Sequence, residues 1–98
     1  MTTYAVRYTY SDDTAGRDEH RPAHRDFLAD LGADGALLLS GPFPDADPAG
    51  ALLLLEAKSG AEVRDLLRED PMQQQGLVDH VEVLEWTPVR GRWLDQLS

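Results

Sequence analysis

One residue of this chain stands out as placed to move a proton at neutral pH. His24 lies on the apolar stripe of a helix predicted over 18–33, and imidazole is the side chain whose ordinary pKa sits closest to neutrality. In a half-buried pocket it would serve as general base or acid. A carboxylate partner would fix its tautomer and stabilise the imidazolium. The alternative is a core histidine with one satisfied hydrogen bond. Asp70 directly precedes Pro71, so it reads as the N-cap of a short helical turn over 71–75. Capping uses one carboxylate oxygen and leaves the other free for a further partner.

Other chemistry-bearing residues give weaker signals. Ser40 precedes Gly41-Pro42 without the Gly-x-Ser-x-Gly context of a nucleophile elbow, so it reads as a strand-end hydroxyl for a ligand. Gly41 reads as a close backbone approach, a bulge, or room for Pro42. His20 and His24 stand four apart, as metal-ligating pairs do. A third ligand would have to come from His80 or Asp70, and the glutamate of a His-Glu-x-x-His motif is replaced by Arg21, so no metal is expected. Arg7 either anchors a substrate carboxylate or pairs with Glu82; the pair is the expectation. Tyr8, Phe27, Phe43 and Trp86 read as core, or as the walls of an aromatic-friendly pocket. There is no glycine-rich phosphate loop, and no cofactor is expected.

These residues must be positioned by six elements. Tyr4 to Tyr10 alternates, with Tyr4, Val6, Tyr8 and Tyr10 on one face and Ala5, Arg7 and Thr9 on the other, which predicts a strand. Residues 11–16 read as loop. The helix over 18–33 follows, with Pro22 near its start and Gly32 and Gly35 at its end. A strand over 36–43, with Leu37 and Leu39 on one face and Leu38 on the other, precedes a strand over 51–57. Ser59 and Glu62 form a capping-box pattern ahead of Val63, Leu66 and Leu67. A last strand spans 80–86, and residues 87–98 form a tail. The order is βαββαβ, an α+β ferredoxin-like arrangement.

The leucine-rich strands are apolar on both faces, and two helices suffice for one. An exposed Leu-rich edge strand also invites association. A second copy packed sheet to sheet is therefore expected.

Ninety-eight residues suggest one domain, over 1–98. The net charge of −9, with a single lysine (Lys58) and arginines read as scattered, argues against nucleic acid and anionic membranes as partners. No long apolar span, secretory pattern or cysteine is visible, and a cytoplasmic location is expected.

An ordered set of features then resembles a known family: Arg21-Pro22-Ala23-His24 in the first helix, Ser40-Gly41-Pro42 ending the second strand, Gly50 before the third, Asp70-Pro71 after the second helix and Trp86 closing the last strand. Together they resemble the YciI-like (YCII-related) family within the dimeric α+β barrel group. The resemblance implies a small homodimer with a pocket beside a His–Asp pair, His24 and Asp70, and Ser40, Gly41 and Pro42 on the pocket wall. It implies an unknown small-molecule ligand and elimination or isomerisation without a cofactor, since a relative is a dehydrochlorinase and the wider group includes muconolactone isomerase. A non-catalytic binding or structural dimer is the alternative, and a cofactor-free oxygenase is a third reading.

Overall fold

The computed structural model describes residues 1–97; of the tail expected over 87–98, Ser98 lies outside the described residues. Four strands, β1 (Thr2–Tyr10), β2 (Leu37–Phe43), β3 (Gly50–Ala57) and β4 (Val78–Glu85), form one antiparallel sheet in the order β2-β3-β1-β4. Helices α1 (Thr14–Ala33), α2 (Gly60–Leu67), α3 (Pro71–Gln74) and α4 (Leu94–Leu97) complete this α+β, ferredoxin-like fold. As expected, β2 is an edge strand.

The core lies between the sheet and the helices. Tyr4, Val6 and Tyr8 of β1 meet Ala51, Leu53 and Leu55 of β3 on the helix side, where Leu31 of α1 and Val63 and Leu67 of α2 cover them. The opposite face carries Ala5 and Arg7 of β1, Leu52 and Leu54 of β3, and Leu39 and Leu84 of the outer strands. Gly50 is fixed by this pairing, because a Cβ there would come within 2.5 Å of the Tyr8 carbonyl oxygen.

Three expectations need correction. The first helix starts at Thr14, not Asp18. Asp13 is its N-cap, its carboxylate accepting the Gly16 N–H at 2.9 Å, so the polar run that read as loop contains the start signal. Pro22 therefore lies inside α1, where it removes a hydrogen bond to the Asp18 carbonyl. Gly35, at φ 90°, ends the helix as expected. Ser59 caps α2 by accepting the Glu62 N–H at 3.1 Å, while Glu62 reaches back to the Lys58 N–H at 3.5 Å, one residue before the cap.

The third correction concerns β2. Leu37 pairs with Leu55 but Leu39 pairs with Leu54, so the register slips by one residue at Leu38. Leu37 and Leu39 therefore end on opposite faces rather than the same one. Downstream of the slip, Ser40 stands opposite Leu53 and Pro42 opposite Ala51, on the helix side, while Gly41 stands opposite Leu52. Without the slip, Ser40 and Pro42 would face the other way.

Candidate functional site

The site grows from one buried carboxylate. Asp70 follows α2 and caps α3, with Oδ1 accepting the Met72 N–H at 3.0 Å. Its side chain is wholly buried. The same Oδ1 lies 2.8 Å from His24 Nδ1, and Oδ2 accepts the Tyr8 O–H at 2.8 Å. Gln73 Nε2 donates to the Tyr8 oxygen at 3.2 Å, which directs the phenolic hydrogen toward Asp70. Three donors thus converge on a carboxylate closed off from bulk solvent, the arrangement a buried charge requires.

With Oδ1 as acceptor, His24 carries a hydrogen on Nδ1, and in the neutral ring Nε2, across from it, holds the lone pair. His24 is 9% exposed and lines a cleft of about 390 Å³. Ser40, Gly41 and Pro42 form part of the wall that faces α1, joined by Leu53 and Phe43, while Leu28 lines the cleft from α1 itself. An imidazole held in this way can take a proton at Nε2 and return it while Asp70 compensates the ring's charge.

All five residues singled out from sequence therefore gather at one cleft, with Asp70 behind His24 rather than in the wall. Gly41 makes neither the bulge, which sits at Leu38, nor a close approach, since a Cβ there would meet nothing within 4 Å. Arg7 stands opposite Glu82 in register, yet its guanidinium lies over the Phe43 ring at 5.7 Å instead of in the expected ion pair. The histidines do not converge: His20 Nε2 lies 4.0 Å from Glu19, and His80 stands in β4 opposite Thr9. Of the aromatics, Tyr8 and Phe27 join the core, Phe43 lines the cleft, and Trp86 is exposed beyond β4.

Sequence reasoning missed two features. Tyr8 reads as core from its alternation, and nothing local reveals that its hydroxyl meets an aspartate 62 residues away. The arginines are not scattered: Arg17, Arg21 and Arg25 of α1 all line the cleft. Their i, i+4, i+8 spacing carried that signal once α1 is extended to Thr14.

Burial pushes the Tyr8 phenol well above its ordinary value of 10.0, and the Asp70 charge adds to the effect. Tyr10, on the cleft side, is pushed up to about 12, by burial first and then by Asp70, while Arg17 and Arg21 pull against the rise. For Tyr8 the consequence is an alkaline instability. Below pH 10 the phenol is protonated folded and unfolded alike; above it the unfolded chain ionises first, so stability falls as pH rises. A Tyr8→Phe variant is expected to lose about 1 kcal/mol at neutral pH. It should also fall less steeply above pH 10 than the parent, the residual slope belonging to Tyr10. Urea midpoints across that range check this; parallel slopes would contradict it.

Among solved structures, the chain is similar to 5-chloro-2-hydroxyhydroquinone dehydrochlorinase from Burkholderia phenoliruptrix AC1100, in complex with 2,5-dihydroxybenzoquinone. Identity is 25%, TM-score 0.75, and the match covers 87% of this chain and 93% of that one. An uncharacterized NIPSNAP domain protein from Burkholderia xenovorans shares 16% identity at TM-score 0.51, over 91% of this chain and 95% of that chain. Rv0793 from Mycobacterium tuberculosis shares 15% at TM-score 0.53, over 93% and 97%; these two likenesses concern the fold alone. No curated protein matches the chain significantly. The YCII-related domain model matches residues 1–87, from before β1 to just past β4. The chain belongs to the YCII-related domain family.

Proposed function

We propose that this protein is a cofactor-independent enzyme that moves one proton on a small organic molecule bound in the cleft. His24 Nε2 removes a proton from carbon, and the C–H electron pair becomes a new π bond. In an elimination the leaving group departs with its own electron pair. In an isomerisation an existing double bond shifts as the new one forms, and its electron pair takes the proton back from the histidine at a different carbon. Asp70 holds the ring and balances the imidazolium. Ser40 and the Gly41 backbone position the substrate opposite. The observation that carries this reading is the 2.8 Å contact of His24 Nδ1 with the buried Asp70, beside a cleft of about 390 Å³. The dehydrochlorinase likeness favours elimination and a cyclic substrate.

The test is a panel of halogenated hydroxyhydroquinones and unsaturated lactones incubated with the protein in D₂O. Chloride release or enzyme-dependent deuterium incorporation at carbon is expected. Neither across the panel would leave a binding module, a reading that Asp70's capping of α3 favours, because the aspartate then has a structural reason to be there.

A second copy on the open sheet face is part of the same proposal. That face presents Leu52, 39% exposed, on one side of β1 and Leu84, at 54%, on the other, with Trp86 at 40% beyond the end of β4. Apolar side chains gathered in this way mark an association surface. In light scattering, the parent protein is expected at twice the monomer mass and Leu52→Asp at the monomer mass. A monomeric parent would remove the dimer from the reading.

A further inference from the structure

We propose that the cleft takes a small single-ring organic anion whose negatively charged oxygen group is held by Arg17, Arg21 and Arg25. This names the substrate class for the proton transfer proposed above and rests on that reading.

The charge distribution is the first argument. The chain carries a net charge of −9, with 18 acidic residues against 9 basic. Yet three arginines line this one cleft and no aspartate or glutamate does. A protein that repels anions over most of its surface concentrates positive charge where a ligand would sit.

The second argument is that α1 has no folding reason for this stripe. Like charges four residues apart disfavour a helix, and cations in its N-terminal half oppose the helix dipole. The first turn of α1 holds no acidic residue to offset them. Among the described residues, Arg21 alone of the three forms an ion pair, with Asp18. Arg17 donates to Thr14 Oγ1 at 3.2 Å and lies over the Tyr10 ring at 5.5 Å, while its Nε is buried with no acceptor. A buried donor left without a partner in a cleft-lining guanidinium is uncommon and costly. An anionic ligand would neutralise the charge that these three side chains concentrate.

Chemistry links the stripe to His24. His24 lies between Arg21 and Arg25 along α1, and all three line the cleft. When a C–H proton leaves, negative charge develops on the substrate. Fixed guanidinium groups beside it stabilise that charge without reorganising. Planar forks also suit carboxylate and enolate oxygens better than a point charge would. Leu28, Leu53 and Phe43 leave apolar surface for the ring itself.

The probes are benzoate, benzamide as its neutral counterpart of like shape, and 4-nitrophenol above its own pKa. Each is titrated into ¹⁵N-labelled protein. Benzoate is expected to shift amides of α1 and of residues 40–43, and to bind about tenfold tighter than benzamide. The Arg21→Gln/Arg25→Gln double variant should weaken benzoate by at least about fivefold, as should added salt. Its spectrum reports directly whether the fold is retained, and Arg25→Gln alone, at an exposed position, is the second variant. If nitrophenolate outcompetes benzoate, the charged group is an enolate or phenolate; the reverse order assigns a carboxylate. Equal affinity for benzoate and benzamide, undiminished benzoate binding by the double variant, or no binding of any anion in the cleft overturns the proposal. His24→Gln is expected to retain benzoate. Charge-selective binding with no turnover in the D₂O panel would keep the anion site and discard the proton transfer. Turnover of neutral substrates without charge selectivity would do the opposite.

Discussion

His24→Gln is expected to lower turnover by about 10²–10⁴-fold, the range typical of losing a positioned general base. The variant should remain folded, because His24 sits at the cleft margin and glutamine can still donate a hydrogen bond toward Asp70. The rate to follow is chloride release or solvent deuterium incorporation, with the thermal midpoint measured alongside. A tenfold or smaller loss in a folded variant would mean that another group carries the proton. Asp70→Asn makes a companion measurement. Its amide keeps the shape and one acceptor oxygen, so the cap of α3 can survive while the negative charge opposite the imidazole is lost. A rate loss in Asp70→Asn out of proportion to its stability loss identifies the charge, not the scaffold, as what His24 needs.

The largest stability effect is expected from Asp70→Ala, at about 3–7 kcal/mol. The α3 cap accounts for about 1 kcal/mol. The rest comes from leaving the Tyr8 O–H and the His24 Nδ1–H buried without their acceptor, at about 1–3 kcal/mol each. A domain of this size has about 5–15 kcal/mol in all, so the variant should unfold at markedly lower urea. Tyr8→Phe in the Asp70→Ala background should then cost much less than in the parent, since its partner is already gone. A loss below about 1 kcal/mol in Asp70→Ala would show that the network relaxes around the missing carboxylate and is not held by it.

Much of this was legible in the sequence, for physical reasons that differ by residue. The alternation of Tyr4, Val6 and Tyr8 marks β1 because one face of a half-buried strand repeats every second residue. Asp70-Pro71 announces a helix start, because Pro at the first helical position leaves the preceding aspartate free to cap. The start of α1 was obscured because Ser11, Asp12, Asp13 and Thr14 are residues that favour caps and turns alike, and only the bond from the Gly16 N–H decides between them. The register slip at Leu38 has no local signature, since three leucines in a row fit either face. Tyr8's role depends on a contact between distant segments, which no window along the chain can contain.

That distance has a consequence for how the protein comes to have a site at all. Tyr8, His24 and Asp70 are supplied by β1, α1 and the entry to α3, at separations of 62 and 46 residues from the aspartate. Contacts this far apart along the chain close late, after most of the loop entropy has been lost. No shorter segment of the chain can assemble the triad on its own, and no locally opened form that frees α3 can retain it. The orientation of one imidazole therefore reports on completion of the whole sheet-and-helix assembly, and the cleft acquires its chemistry only in the finished fold.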